Sequence, residues 1–168
     1  MTLGLTPRTH GRTEDLPWRV VAIPPFNTSG WLPEGIYDCT LEEATQQFGT
    51  FQRSDRRTQL WAKFLEFVRE ARACGWIETI VVDGSFVTAN PTPNDIDLIL
   101  VVSAYTDFSG DLLPVHYNLL SARRVRKRFG FDIVVVKQGS ENFDQAVAFF
   151  QQVRQRPAAK KGLIRIPL

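Results

Sequence analysis

The sequence predicts a single mixed α/β (α+β) domain, because segments with helical periodicity alternate with short apolar runs. The chain has 168 residues, 43% of them hydrophobic, which is enough to build one sizeable core. It contains no internal repeat and no low-complexity segment. The predicted elements follow in the order helix 41–48, helix 55–73, strand 76–82, strand 96–102, helix 115–128, strand 131–136, helix 140–155 and a short strand at 162–166.

The composition excludes several classes of protein. The net charge of +2 is too small to indicate nucleic-acid binding by itself. Cys39 and Cys74 are too few for a disulfide framework and lack the C-x-x-C spacing of a metal pair. The first residues lack the apolar core of a signal peptide, and no apolar run is long enough to cross a bilayer. These features predict a cytoplasmic protein without membrane contact.

The N-terminal part of the chain is expected to be extended. Residues 1–19 show no periodicity and are predicted to form a mobile arm, which leaves residues 20–168 as the domain, with its core in 54–155. Residues 20–37 contain Pro-Pro and Pro-Glu-Gly, which favour extended chain and turns over a helix. The apolar side chains of this segment, Trp31 among them, need cover. We therefore expect it to lie along the domain surface as an extended arm.

Capping signals set the ends of the first two helices. Thr40 followed by Glu43 is a capping-box pattern, in which each side chain accepts a hydrogen bond from the backbone N–H of the other residue. Gly49 can end this short helix. Ser54 is placed to cap the longer helix, and Gly75 stops it.

Glycine and proline residues also divide the second half of the sequence. Gly130 ends the helix predicted over 115–128. Ser140 begins the last helix, and Pro157 ends it. Residues 162–166 have the composition of a short strand, which we expect at an edge of the sheet.

Two aspartates open the second predicted strand. Asp95 and Asp97 are two residues apart, so their side chains project from the same face, where like charges repel. Asp132, near the start of strand 131–136, has a similar apolar setting. If these two strands are neighbours, three carboxylates meet at one end of the sheet. Such a cluster predicts a site for one or two Mg²⁺ ions, or Mn²⁺, held by hard oxygen ligands.

Gly84 and Ser85 lie at the turn after the first predicted strand. A glycine lets the backbone approach a ligand closely, and a serine adds a hydroxyl, so this turn could bind the phosphates of a nucleotide. A purely structural interpretation is also open, because turns favour both residues. In that interpretation Asp95 caps the Pro-Asn turn before it, and Asp97 pairs with an arginine.

Residues 123–128, Arg-Arg-Val-Arg-Lys-Arg, form the densest basic run. One interpretation is the solvated last turn of a helix, where cations offset the helix dipole. The other is a patch that binds a polyphosphate or an RNA acceptor. Helical spacing places Arg124 and Arg128 on one stripe with Lys127 beside them. Arg124 and Lys127 are therefore candidate nucleotide-binding residues.

The residues Gly84-Ser85, nine intervening positions, Asp95-x-Asp97 and the later Asp132 resemble the signature of the nucleotidyltransferase superfamily of DNA polymerase β type. This likeness covers somewhat over a third of the chain. Nearly the whole chain is similar to a bacterial nucleotidyltransferase-like family. The segments that carry this second likeness are 23–26, 32–36, 83–88 and 161–166.

The resemblance implies a nucleotidyltransferase fold, a small mixed β-sheet flanked by helices. In such a site Asp95 and Asp97 would ligate two metal ions. Asp132 would complete the second metal site and help to deprotonate the acceptor hydroxyl. Gly84 and Ser85 would bind the phosphates of a nucleoside triphosphate such as ATP.

The activity implied by the resemblance is transfer of a nucleoside monophosphate from an NTP to a hydroxyl of a protein or RNA acceptor. Small transferases of this type also occur in toxin–antitoxin and phage-defence pairs. No helical domain follows the third strand, so the acceptor or a partner protein could complete the site. Two alternatives stay open: a catalytically silent nucleotidyltransferase-fold binding module, such as an antitoxin or scaffold, and an RNA-binding domain that uses the basic helix.

Overall fold

A computed structural model of the protein describes residues 23–50, 55–154 and 156–168. The predicted arm at 1–19 and the predicted cap Ser54 lie outside the described residues. The main sheet has five strands in the order β1-β7-β2-β3-β4, and β5 and β6 form a separate hairpin. The strands are β1 (Ile36–Asp38), β2 (Ile77–Asp83), β3 (Asp97–Val102), β4 (Asp132–Lys137), β5 (Gln152–Val153), β6 (Arg156–Lys160) and β7 (Leu163–Pro167).

The sheet is mixed. β3 runs parallel to β4, and β1 runs parallel to β7, whereas β2 is antiparallel to both of its neighbours, β3 and β7. The prediction of a mixed α/β domain is therefore confirmed, while the nucleotidyltransferase fold stays a proposal. None of the helices in the described part of the chain is long and apolar enough to cross a membrane.

Helices cover the sheet. Thr40 caps the first helix as predicted: its side chain accepts from the Glu43 N–H at 3.1 Å, and Glu43 Oε2 accepts from the Thr40 N–H at 2.8 Å. A π-helical turn (Thr45–Gly49) continues this helix to the predicted glycine. The α-helices are α1 (Leu41–Ala44), α2 (Asp55–Cys74), α3 (Pro114–Leu120), α4 (Ala122–Phe129) and α5 (Glu141–Gln151).

Three predicted elements differ in the structure. The helix expected over 115–128 is divided into α3 and α4, because Ser121 has an extended backbone, with φ −87° and ψ 112°. The last helix ends at Gln151, where the chain enters the β5–β6 hairpin. The strand expected at an edge is β7, which lies between β1 and β2. Its Ile164 and Ile166 are fully buried, so an interior position is the one that covers them.

The core lies on both faces of the sheet. The larger layer packs one face against α2, through apolar residues that recur along the helix at Leu60, Trp61, Phe64, Phe67, Val68 and Ala71. The smaller layer packs Val81, Ile99 and Leu163 against α5. Residues outside 54–155 contribute as well, since Leu32 and Phe48 are fully buried. Alternation along β2 and β3 then places Asp83 and Asp97 on the α5 side of the sheet.

Candidate functional site

Three aspartates lie side by side across the sheet. Asp97 at the start of β3 pairs in register with Asp83 at the end of β2 and with Asp132 at the start of β4. Residues directly opposite on neighbouring strands project from the same face, so the three carboxylates form a row. The expected meeting of Asp97 and Asp132 follows from the parallel pairing of β3 with β4. Asp83 was not predicted to take part.

The carboxylate row opens into a cavity of about 860 Å³, a size typical of small-molecule sites. The structure brings five of the sequence-predicted site residues together here: Gly84, Ser85, Asp95, Asp97 and Asp132. The other residues lining the cavity are Trp31, Asp83, Thr88, Asn90, Asn94, Arg126, Phe149, Phe150, Gln152, Val153, Arg154 and Lys161.

Gly84 packs directly against the Asp97 carboxylate. Its backbone has φ +89° and ψ −171°, a region that only glycine adopts readily. A Cβ atom at this position would overlap Asp97 Oδ2. The glycine of the Gly-Ser turn therefore makes room for the carboxylate beside it, and the two sequence motifs are parts of one site.

Replacing Gly84 by alanine is expected to lower the free energy of unfolding by about 1–3 kcal/mol. An alanine would be strained at this backbone conformation, and the Asp97 carboxylate would have to move. Urea unfolding followed by circular dichroism measures this change. Gly110→Ala is the matched control, since its added Cβ meets no atom within 4 Å. Equal stability of the two variants would contradict the close packing of Gly84 on Asp97.

Two arginines of α2 hold the connection between β2 and β3. Arg57 is fully buried and donates to the carbonyls of Phe86 at 2.5 Å and Asn90 at 2.6 Å. Arg56 donates to the carbonyl of Asn94. Burial lowers the pKa of Arg57 to about 10, still far above neutral pH. The connection that carries Ser85 and Asp95 into the cavity is thus fixed at both ends.

Arg126 of α4 is the cation of the basic run that reaches the carboxylates. Its guanidinium pairs with Asp132 and lies 3.5 Å from Asp95 Oδ2. The hydrogen bond to Asp132 raises the pKa of Arg126. Arg124 instead donates to Asn118 Oδ1 at 2.8 Å. The structural interpretation of the aspartates paired an arginine with Asp97, whereas Arg126 contacts Asp132 and Asp95.

Arg124 and Lys127 are not among the residues that line the cavity. Arg128, on their predicted stripe, pairs with Glu66 and Glu70 of α2. Arg128 thus joins α4 to α2. The assignment of Arg124 and Lys127 to nucleotide binding stays a prediction. Helical spacing alone could not identify Arg126. The break at Ser121 gives α4 its own direction, and that direction decides which side of α4 faces the carboxylates.

Lys161 and Asp83 form a buried ion pair at the floor of the cavity. The Lys161 Nζ lies 2.5 Å from Asp83 Oδ1, and the two side chains are only 13% and 5% exposed. Burial raises the pKa of Asp83, while Lys161 and, at longer range, Arg154 act against that rise. Sequence reasoning did not assign Lys161 or Arg154 to the site, because nothing local in the sequence links either residue to Asp83.

The donor chemistry of the cavity fits a divalent metal ion. Burial, followed by the charges of Asp95, Asp83 and Asp132, raises the pKa of Asp97 to about 6. A cation among these carboxylates would relieve that repulsion. As arranged, the cluster is offset by Arg126 and Lys161, and in the described part of the chain no three His, Cys, Asp or Glu residues are placed as ready metal ligands. The Arg126 side chain that contacts Asp132 is 52% exposed.

No curated protein and no solved structure matches the chain. A protein-family model does match, over residues 24–167, a range that includes the whole cavity lining from Trp31 to Lys161. The match covers most of the sequence. The chain therefore belongs to a family of unknown function, DUF6932.

Proposed function

We propose that this protein is a metal-dependent nucleotidyltransferase that moves a nucleoside monophosphate from an NTP to a hydroxyl of a protein or RNA acceptor. The observation that supports the proposal is the row of Asp83, Asp97 and Asp132 beside the Gly84 turn, with Asp95 at the same cavity. The nucleotidyltransferase fold is part of this proposal.

In this proposal Asp95, Asp97 and Asp132 would hold Mg²⁺. The metal would supply positive charge that offsets the charge developing on the transferred phosphoryl group. Asp132 is 55% exposed, so it is open to an acceptor hydroxyl and could accept its proton. The acceptor oxygen then bonds to the α-phosphorus, the bond from that phosphorus to the bridging oxygen breaks, and pyrophosphate leaves.

The cations of the cavity would bind the triphosphate. Arg126, Arg154 and Lys161 come from three different elements and face the same cavity. The Ser85 hydroxyl lies at the turn beside them. An anionic ligand would draw Arg126 away from Asp132 and Asp95, since a phosphate accepts the same charged hydrogen bonds as a carboxylate. In this way the nucleotide would bind Arg126, and the metal would take its place beside the carboxylates.

A second candidate is a catalytically silent binding module, such as an antitoxin or a scaffold. The observation in its favour is that Arg126 pairs with Asp132 and lies close to Asp95, so a side chain of the protein itself offsets part of the carboxylate charge. The third interpretation, an RNA-binding domain built on the basic helix, is weakened by the contacts of that helix. Arg126 faces the carboxylates, and Arg128 is engaged by α2, so neither is available on an open basic surface.

The test of the proposed function is transfer of labelled nucleotide from [α-³²P]NTPs to components of a cell lysate, with Mg²⁺ and purified protein. Wild type is expected to label an acceptor. Asp95→Ala/Asp97→Ala should reduce labelling by more than about 100-fold, the upper range for loss of residues that support a metal. Asp111→Ala, an exposed aspartate outside the cavity, should label like wild type.

Protease and ribonuclease treatment of the labelled product decides between a protein and an RNA acceptor. Equal labelling by wild type and the double variant would contradict the transferase. A binding module would instead give no labelling with any variant, and its thermal stability would not need Mg²⁺ in order to respond to a ligand.

A further inference from the structure

Part of the cavity lining is aromatic. Trp31 and Phe149 line it together with Phe150, on the same cavity as the four carboxylates. Phe149 is 66% exposed, which is unusual for a phenylalanine beside a charged cleft. An exposed aromatic surface next to charged groups marks a place where a flat apolar group of a ligand can be covered.

The structure holds Trp31 in place. Its backbone forms a β-bridge with Thr88, its N–H donates to Asn27 Oδ1 at 3.1 Å, and its carbonyl accepts from the Asn27 N–H at 2.8 Å. The Arg156 guanidinium lies over the indole ring, 5.6 Å from its centroid. Because the Trp31 backbone is held and Arg156 lies over one face of the indole, a planar ligand group would stack on the opposite face.

Phe149 comes from a distant part of the sequence. It lies in the last turns of α5, and its ring packs edge-on against Phe150 with centroids 5.7 Å apart. Phe150 in turn packs against the smaller core layer. The exposed Phe149 ring is therefore supported by the partly buried Phe150 ring.

The cavity lining thus combines aromatic rings with three cations, Arg126, Arg154 and Lys161. A ligand that matches both parts carries a planar apolar group and a chain of negative charges. We propose that Trp31 and Phe149 form a nucleobase subsite, which stacks the base of an NTP while its phosphates reach the cations. This inference rests on the proposed function for the identity of the ligand, and it adds the residues that bind the base.

Stacking is also expected to tolerate different bases, because every base presents a π-face. The subsite would then supply affinity for nucleotides in general. Choice among bases would be left to polar groups at the rim, such as Asn90 and Gln152, which line the same cavity.

The test compares two ligands by isothermal titration calorimetry in Mg²⁺: ATP, which carries a base, and inorganic tripolyphosphate, which does not. Trp31→Ala and Phe149→Ala are each expected to weaken ATP binding by about 5- to 150-fold, the range of base–aromatic stacking. Tripolyphosphate binding should change less than about twofold, since the phosphate-binding cations are untouched. Trp31→Phe should retain most of the ATP affinity, because it keeps an aromatic face.

Tyr105→Ala is the matched control, since Tyr105 is 94% exposed and lies outside the cavity. It should leave both affinities unchanged. Unchanged ATP affinity in Trp31→Ala and Phe149→Ala would overturn the subsite, as would equal losses for ATP and tripolyphosphate. A wild-type protein that binds neither ligand overturns the subsite and the proposed function together. Base-dependent ATP binding without any nucleotide transfer supports the subsite and counts against the transferase alone.

Discussion

Asp97→Asn is expected to make the metal-free protein more stable at pH 8 than wild type. In the folded state, burial and the neighbouring carboxylates raise the pKa of Asp97 from 3.8 to about 6. In the unfolded chain these causes are absent, and the carboxyl ionises near its ordinary pKa. The charged form is therefore disfavoured by folding, whereas an asparagine carries no charge at any pH.

Because the pKa of Asp97 is raised by folding, the stability difference between variant and wild type depends on pH. Below about pH 4 Asp97 is protonated in both states, and the variant should match wild type. Between pH 4 and 6 the unfolded state has released its proton while the folded state keeps it, so wild type loses stability as pH rises. Above pH 6 the difference is constant. The full shift corresponds to about 3 kcal/mol, and solvent screening of this partly exposed carboxylate reduces it to about 1–2 kcal/mol.

Urea unfolding at pH 4 and pH 8 with a chelator present measures the effect, and Asp111→Asn is the control at an exposed site. A gain of equal size at both pH values, or a loss at pH 8, would contradict the electrostatic origin. Added Mg²⁺ should then reduce the difference in free energy of unfolding between Asp97→Asn and wild type at pH 8, because a metal bound among the carboxylates stabilises wild type alone. A residue that lowers stability while contacting a cavity is typical of a functional site.

Lys161→Met should be the most destabilising single change near the cavity. It leaves the Asp83 carboxylate buried without the ammonium that lies 2.5 Å away. Loss of one partner of a buried ion pair typically lowers the free energy of unfolding by about 3–5 kcal/mol. We expect the lower part of this range, since Arg154 also lowers the pKa of Asp83 and so partly compensates its charge.

The neighbouring Lys160 provides a matched control for this prediction. It pairs with Glu34 at 3.0 Å, but both side chains are about half exposed, at 51% and 57%. Lys160→Met should therefore change stability by less than about 1 kcal/mol. Asp83→Asn/Lys161→Met should recover part of the loss, because the uncompensated charge is then removed. If Lys161→Met and Lys160→Met unfold at the same urea concentration, the buried pair does not contribute as the geometry indicates.

The sequence was sufficient for the parts of the site that depend on local periodicity. Strand spacing placed Asp97 at the start of β3, and the parallel pairing of β3 with β4 put Asp132 in direct register with it. Asp95 lies before β3 and reaches the same cavity from the connecting segment. Gly84 could be assigned to a turn, although its contact with the Asp97 carboxylate could not. Asp97 and Asp132 lie on strand ends, where a period of two fixes the face of each side chain.

The residues that balance the carboxylates could not be predicted in the same way. Lys161 meets Asp83 across 78 positions of sequence, and Arg126 meets Asp95 across 31. Arg126 depends on the direction of α4 after the break at Ser121, which no helical spacing within 123–128 reveals. Long-range pairing of this kind is decided by tertiary packing, so a single sequence contains no local signal for it.

The interior position of β7 bears on how the protein folds. β7 joins β1 to β2, and its Arg165 contacts Asp38 from 127 positions away. Until β7 pairs with it, β2 presents an unpaired apolar edge, and β1 lacks its parallel partner. Topologies with such distant contacts fold slowly, and their open edges are prone to associate with other chains. Pairing of β7 is therefore expected to complete both the sheet and the cavity, because Lys161 lies two residues before β7.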